Sequence, residues 1–120
     1  MSALSKSSAL LAGNEPGMVS LRDAVPLVGQ GIVSRTLLAT PELRSVLFRF
    51  APEQALTEHT STSRAFIQIL EGECEFSIAG QPRTLGAGEV LHLPPNVPHA
   101  VRATTAMSML LVLAPERPAT

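Results

Sequence analysis

The feature that most constrains this chain is a series of short β-favouring runs separated by glycine, proline, serine or threonine. Ten prolines, among them Pro94, Pro95 and Pro98, leave no room for a long helix in the second half of the chain. The runs recur about every 8–12 residues, a spacing typical of an all-β sandwich or barrel. They read GIVSRTLLAT, LRSVLFRF, RAFIQIL, ECEFSIAG, GEVLHLP, HAVRAT and MSMLLVLA.

Several of these runs alternate between apolar and polar residues. In Glu73–Ile78 the apolar set is Cys74, Phe76 and Ile78, and the intervening residues are polar. Successive side chains of a strand point to opposite faces, so we expect the apolar set to face the core.

The length of the chain favours one domain, since 120 residues lie within the usual size range of a single core. Residues 1–17 are rich in serine, alanine and glycine and end in the turn signal NEPG. We therefore predict a flexible N-terminal segment over residues 1–17 and a single domain over residues 18–120.

The composition argues against several classes of partner. The net charge is −1 and only 16% of residues are charged, so we expect no nucleic-acid partner. The longest apolar stretch, Met109–Ala114, is strand-sized and far below the roughly 20 residues of a membrane span, so we expect no membrane partner. A single cysteine, Cys74, excludes an internal disulfide and favours a cytoplasmic location.

Two spaced motifs lie in the central part of the chain. The first has the pattern glycine, five residues, His-x-His, three or four residues, glutamate, six residues, glycine. With Gly72 as the closing glycine, His59 and Ser61 occupy the two histidine positions, Ala65 the glutamate position and Glu53 the opening glycine position. This pattern resembles the first motif of the cupin superfamily.

The second motif has the pattern glycine, five residues, Pro-x-Gly, two residues, histidine, three residues, asparagine. Gly88, Pro94 and His99 fall at their positions, while Asn96 and Ala103 replace the glycine and the asparagine. The resemblance to cupins covers roughly residues 43–114. It implies that the fold is all-β, a cupin jelly-roll-like β-barrel preceded by the flexible lead-in.

Metal-loaded cupins hold a divalent ion with three imidazoles and one carboxylate. By this resemblance, the candidate metal ligands are His59 and His99, and the candidate cofactor is divalent Zn, Fe, Mn or Ni. Ser61 and Ala65 stand where the other two ligands would be, so only two of the four usual ligands are present. Cys74 could add a third ligand, but a lone strand cysteine is most often a small buried hydrophobe.

The remaining histidine, His92, lies next to the proline of the second motif. In cupins the cavity-facing residues at this point correspond to Leu91 and Leu93, which puts His92 on the outside. For His59 and His99, the alternative to a functional role is an interior polar residue satisfied by water or backbone.

The leading functional hypothesis is a small cytoplasmic cupin that binds a small, largely apolar organic molecule inside the barrel. The predicted cavity residues are Ser61, Ala65, Ile67, Leu91, Val101 and the two histidines His59 and His99. An alternative is a metal-dependent oxygenase or isomerase that uses the two histidines. A third is a stress or sensory module that acts through dimer contacts without a ligand.

Homodimerisation is expected on two grounds. Cupins commonly pair, and the segment Met18–Thr40 has more apolar residues than one small barrel obviously needs. We predict that part of this segment pairs with a partner barrel and covers exposed strand edges. The apolar residues in question are Val25, Leu27, Val28, Ile32, Leu37 and Leu38.

Overall fold

The computed structural model of the chain describes residues 9–26 and 29–116, which contain nine strands and one short helix. The elements are α1 Leu21–Ala24, β1 Ile32–Ala39, β2 Arg44–Phe50, β3 Ala55–His59, β4 Ser63–Glu71, β5 Glu73–Ile78, β6 Gln81–Gly86, β7 Val90–Leu93, β8 His99–Ala103 and β9 Met107–Pro115. The predicted all-β fold is confirmed. Within the described ranges, no helix is long and apolar enough to span a membrane.

The strands form two antiparallel sheets that pack face to face. The five-stranded sheet has the order β1-β2-β9-β4-β7, and the four-stranded sheet has the order β3-β8-β5-β6. Consecutive strands pair in β1–β2 and β5–β6, while other neighbours come from distant parts of the chain, as when β4 pairs with β9. This arrangement confirms the jelly-roll-like barrel.

The main core lies between the two sheets. In β5, Cys74 and Phe76 are fully buried whereas Glu73 and Glu75 are exposed, which confirms the predicted alternation. Ile78 is only partly buried but packs against the same core. The buried members of this main core are Phe50, Ala65, Ile67, Ile69, Cys74, Phe76, Leu93, Val101, Ala103, Met107 and Met109.

The tight turn between β4 and β5 explains the closing glycine of the first motif. Gly72 has a φ of 80°, which side chains other than glycine rarely adopt. A Cβ at this position would collide with the backbone oxygen of Ala106 and would lie 2.9 Å from the Cα of Met107. Glycine is therefore needed both for the turn and for the close approach of the β8–β9 connection.

A second, smaller core lies on the outer face of the five-stranded sheet. Val25, Leu37 and Leu47 are buried there, and Leu10 and Leu21 pack against them. The segment before the helix therefore packs against the outer face of the five-stranded sheet.

The predicted lead-in lies partly within the described residues. Residues 1–8 are outside them, and residues 9–17 contain no helix or strand. The amides of Leu10 and Leu11 nevertheless donate to the carbonyl oxygens of Thr36 and Leu37, at 3.2 and 2.8 Å. Leu10 and Leu11 are therefore hydrogen-bonded to the backbone of β1.

Much of the apolar surplus in Met18–Thr40 is accommodated within the chain itself. Strand β1 pairs with β2, Ile32 packs against the main core, and Val25 and Leu37 belong to the second core. Leu27 and Val28 lie outside the described residues. Contacts within the chain therefore account for the apolar character of Val25, Ile32 and Leu37 without a partner barrel.

Candidate functional site

A cavity of about 230 Å³ lies between the two sheets. Strands β4, β7 and β9 supply one wall, and β3, β8 and the loops beside them supply the other. The lining is mostly aliphatic, with two serines and two histidines as its polar groups. The lining residues are His59, Ser61, Ser63, Ala65, Ile67, Leu93, Pro94, Val97, His99, Leu111 and Leu113.

The two histidines meet because β3 ends where β8 begins. His59 and His99 are partners in the antiparallel register, and their ring centroids lie 4.3 Å apart with the planes at 60°. The ring of His99 also stacks on Phe76, at 6.2 Å between centroids and 20° between planes. His99 is half-buried and His59 is exposed, so the pair joins the core to the outside.

Each imidazole is held by a hydrogen bond to the backbone. Nδ1 of His59 lies 2.9 Å from the carbonyl oxygen of Thr57, and Nδ1 of His99 lies 2.9 Å from that of Val97. A carbonyl oxygen can only accept, so Nδ1 must carry the proton in both rings. In the neutral form, each ring therefore keeps Nε2 as a hydrogen-bond acceptor or a ligating atom.

The two replaced motif positions make the cavity neutral and roomy. Ala65 is buried, and its methyl group occupies the place of a glutamate side chain. Ser61 accepts a hydrogen bond from the amide of Ser63 at 3.0 Å, and its own carbonyl accepts one from the amide of Asn96 at 2.7 Å. These two hydrogen bonds hold the loop that forms this part of the cavity wall. Its polar side chains are uncharged hydroxyl groups.

Two of the residues predicted to bind ligand lie outside the cavity lining. Leu91 and Val101 are not among the lining residues. Leu91 packs against the main core, and Val101 is 4% exposed and lies opposite Phe76 in the sheet. Alternation along a strand identifies the inward face but does not tell how far a residue lies from the cavity.

Sequence reasoning missed several apolar lining residues. Leu111 and Leu113 come from β9, outside both motifs, and Val97 comes from the loop before β8. The run MSMLLVLA did carry a usable signal, because Met109, Leu111 and Leu113 share one face of the strand. The inward face of β9 therefore forms an aliphatic wall opposite the histidine pair.

The donors present do not fit a tightly held divalent ion. Among the described residues there is no cluster of three or more histidine, cysteine, aspartate or glutamate side chains placed to hold a metal. Cys74 is completely buried in the core, and burial, with a smaller contribution from Glu73, raises the pKa of its thiol to about 11. Because metals bind the thiolate, Cys74 is a poor candidate for a third ligand.

His92 lies on the outer side of the barrel, as the resemblance to cupins implied. Its side chain is exposed, and its Nε2 accepts a hydrogen bond from Nη1 of Arg64 at 2.8 Å. Arg64 also pairs with Glu116, and this hydrogen bond lowers the pKa of the Glu116 carboxyl. His92 is therefore part of a polar cluster on the outer surface.

Comparison with solved structures gives the same architecture. A conserved protein of unknown function from Streptococcus pyogenes is 26% identical, over 92% of this chain and 97% of its own, with a TM-score of 0.79. An RmlC-like cupin from Desulfovibrio desulfuricans is 32% identical, over 84% of this chain and 98% of its own, with a TM-score of 0.76. Both likenesses extend over nearly the whole of the other protein.

A more distant likeness includes an enzyme. A salicylate 1,2-dioxygenase variant from Pseudoaminobacter salicylatoxidans is 18% identical, over 70% of this chain and 26% of its own, with a TM-score of 0.67. At that identity the likeness shows the fold alone. No curated protein is similar enough in sequence to match the chain. Residues 46–113 match the family model for the cupin domain, and the protein belongs to the cupin family.

Proposed function

We propose that this protein is a cytoplasmic cupin that binds a small, largely apolar organic molecule in the barrel cavity. The observation that supports the proposal is the lining, in which aliphatic side chains and a pair of adjacent imidazoles face one cavity. Apolar walls with a few placed polar groups are typical of small-molecule sites. The buried lone cysteine favours the cytoplasmic location.

The size of the cavity limits the ligand. Its volume of about 230 Å³ falls below the roughly 300–1,000 Å³ of sites for drug-sized ligands. The ligand is therefore a compact molecule such as a single ring or a short branched chain.

The polar groups specify how the ligand is held. Nε2 of His59 and of His99 can each accept a hydrogen bond, while the lining residues within the described part of the chain include no carboxylate and no permanently charged side chain. A ligand hydroxyl directed at the imidazoles would be bound better than the hydrocarbon alone. We therefore expect neutral or weakly anionic hydroxyl compounds, such as phenols, to bind.

Titration of metal-free protein with phenol, followed by amide NMR, tests this proposal. Phenol is expected to shift the amide signals of Ser61 and His99, and toluene, which lacks the hydroxyl, is expected to bind more weakly. The substitution A65L places a larger side chain in the cavity and should abolish the shifts. Its matched control is A55L, the same change at an exposed position of β3. Unchanged phenol binding in A65L would contradict the proposal.

A second candidate function is a metal-dependent enzyme, an oxygenase or isomerase. The observation in its favour is the histidine pair, because ligating histidines usually donate their other ring nitrogen to a carbonyl or carboxylate. Both His59 and His99 have this arrangement. Ser61 or water would have to complete the ligand set.

Metal content separates the two candidates. Protein purified without chelator or nickel would be incubated with iron, manganese and zinc separately and then measured by mass spectrometry. Near-stoichiometric metal that disappears in the double variant H59A/H99A would favour the enzyme. Retained metal in that variant would place the ion elsewhere, and absence of metal in the unsubstituted protein would favour the ligand-binding proposal.

We also propose that the protein forms a homodimer through the outer face of β4 and β7. Phe66 and Val90 are large apolar side chains that are 49% and 52% exposed on these adjacent strands. Arg64 and Glu116, which pair with each other, lie at one end of that face and give the apolar residues a polar rim, as is typical of interfaces. Strand β7 is also an edge of its sheet.

Light scattering tests the dimer at micromolar concentration. The unsubstituted protein should have the mass of two chains, and F66S should have the mass of one. The control is V33S, which changes a half-buried position of β1 away from Phe66 and Val90. This variant should remain dimeric. A monomeric unsubstituted protein would contradict the proposal.

A further inference from the structure

A second cavity, of about 210 Å³, lies outside the barrel. It sits between the short helix α1 and the outer face of the five-stranded sheet, where β2, β9 and β4 are neighbours. Leu21, Leu47 and Leu70 give it apolar walls, and Arg49 and Ser108 are buried polar residues in its lining. We call this cavity the outer pocket.

A bulge in β4 helps to build the outer pocket. The register between β4 and β9 shifts between Ile69 and Glu71, so one extra residue is accommodated there. Ile69 faces the main core, while Leu70 and Glu71, although adjacent in sequence, both line the outer pocket. A regular strand would send two adjacent side chains to opposite faces.

The buried charge in the outer pocket lacks a close partner. Arg49 is 7% exposed, and its Nε has no hydrogen-bond partner within the described part of the chain. Its Nη1 lies 3.7 Å from Oε1 of Glu71, and its Nη2 donates to the backbone oxygen of Arg22 at 3.4 Å. Both distances are long for a charged hydrogen bond, which is typically 2.7–2.9 Å.

Glu71 does not neutralise this guanidinium fully. Its side chain is 67% exposed, and its Oε1 accepts a hydrogen bond from the buried hydroxyl of Ser108 at 3.1 Å. Buried charges normally have paired and hydrogen-bonded partners, because desolvation is costly. The buried cation therefore retains donor capacity at the wall of a cavity that is otherwise largely apolar.

We propose that the outer pocket binds a small organic carboxylate, with the carboxylate on Arg49 and an apolar tail against the leucines. The forked guanidinium suits a two-oxygen anion, and Arg22 adds a second positive side chain to the lining. The nearby Glu71 disfavours doubly charged anions such as phosphate. This site is separate from the barrel cavity and lies on the opposite face of the same sheet.

Amide NMR on the isotope-labelled full chain tests the proposal with sodium hexanoate as the probe. Hexanoate is expected to shift the amide signals of Leu47, Leu70 and Ser108 with a Kd of the order of 1 mM, as suits a ligand of this size. The matched neutral probe is 1-hexanol, and inorganic phosphate is the matched anion without a tail. Both should bind at least about tenfold more weakly, since each lacks one of the two interactions.

Three variants connect the binding to the proposed contacts. R49M keeps an unbranched side chain but removes the cation, and it should weaken hexanoate binding at least about tenfold. E71Q removes the competing carboxylate at an exposed position and should tighten binding several-fold. R83M, at an exposed position of β6, should leave binding unchanged.

The proposal would be overturned if hexanoate failed to shift the outer-pocket amides, or if 1-hexanol or phosphate bound as well as hexanoate. Should R49M fail to fold, E71Q decides, because unchanged or weakened hexanoate binding in that variant contradicts the proposal. Shifts confined to Ser61 and His99 would place hexanoate in the barrel and would also overturn it. The barrel proposal is judged separately, by phenol binding in the A65L variant.

Discussion

The two halves of the barrel interior differ in a way that separates stability from binding. In the packed half, Phe50, Ile69, Cys74 and Phe76 are at most 1% exposed and belong to the main core. In the open half, the same two sheets carry serine, alanine and histidine at inward positions and enclose the cavity. The two halves therefore differ in the volume and polarity of their inward side chains, and we expect this difference to decide which half can accept a ligand.

The largest expected effect of a single substitution is on the packed half. F76A removes a fully buried ring that also stacks on His99, and it should lower the free energy of unfolding by about 3–5 kcal/mol. L113A removes a half-buried side chain from the open half and should cost clearly less. Urea unfolding compares the two, and equal losses would mean that the halves do not differ in their contribution to stability.

The next effect concerns the chemistry of the open half. The double variant S61H/A65E supplies the imidazole and the carboxylate that the first motif lacks, next to His59 and His99. Zinc affinity, measured by competition with a chelator, should rise by more than about 100-fold, because two ligands are added at once. S61A/A65V, which adds no ligand, is the control. No gain in S61H/A65E would mean that the backbone no longer holds the metal geometry.

The buried thiol predicts a pH effect in the packed half. The pKa of Cys74 is raised from 9.0 to about 11 in the folded protein, so the unfolded chain loses this proton first as the pH rises. The free energy of unfolding should therefore fall between pH 9 and pH 11, by about 2–3 kcal/mol in total. Unfolding titrations would detect this loss, and C74A should lack this component. Identical pH profiles for the two proteins would contradict the prediction.

The smallest expected effect lies on the outer surface of the open half. Arg64 and Glu116 form an exposed ion pair, and R64A should change the urea midpoint little. Since the pair lowers the pKa of Glu116, its small contribution is present at neutral pH and disappears as the pH falls through that lowered pKa. A large loss of stability in R64A would show that the surface cluster supports the cavity wall.

The sequence allowed the architecture and part of the barrel cavity to be predicted. The motif spacing led us to expect four residues in one cavity, and all four line it: His59, Ser61, Ala65 and His99. The spacing is informative because the motif glycines fix where the strands turn. Leu91 and Val101 were assigned to the lining from the face they share with it, and a shared face says nothing about position along the barrel. Depth depends on how the two sheets pack, and the local pattern does not contain that information.

The outer pocket could not be predicted at all. In the run RSVLFRF, Arg49 occupies an outward position and is indistinguishable from an ordinary solvated arginine. Arg49 is covered by α1, which is far from it in sequence. The bulge at Leu70 also has no residue signature, because it follows from how β4 is aligned with β9.

Because of the bulge at Leu70, the outer pocket can change in sequence evolution independently of the barrel cavity. Deletion of Leu70 would restore the regular register, with Glu71 following Ile69 at an outward position, and the outer pocket would lose one apolar wall. The residues from Ser63 to Ile69, which carry the barrel lining, would keep their order and their faces. A single deletion would thus reshape the outer pocket while the barrel-lining residues of β4 stay in place.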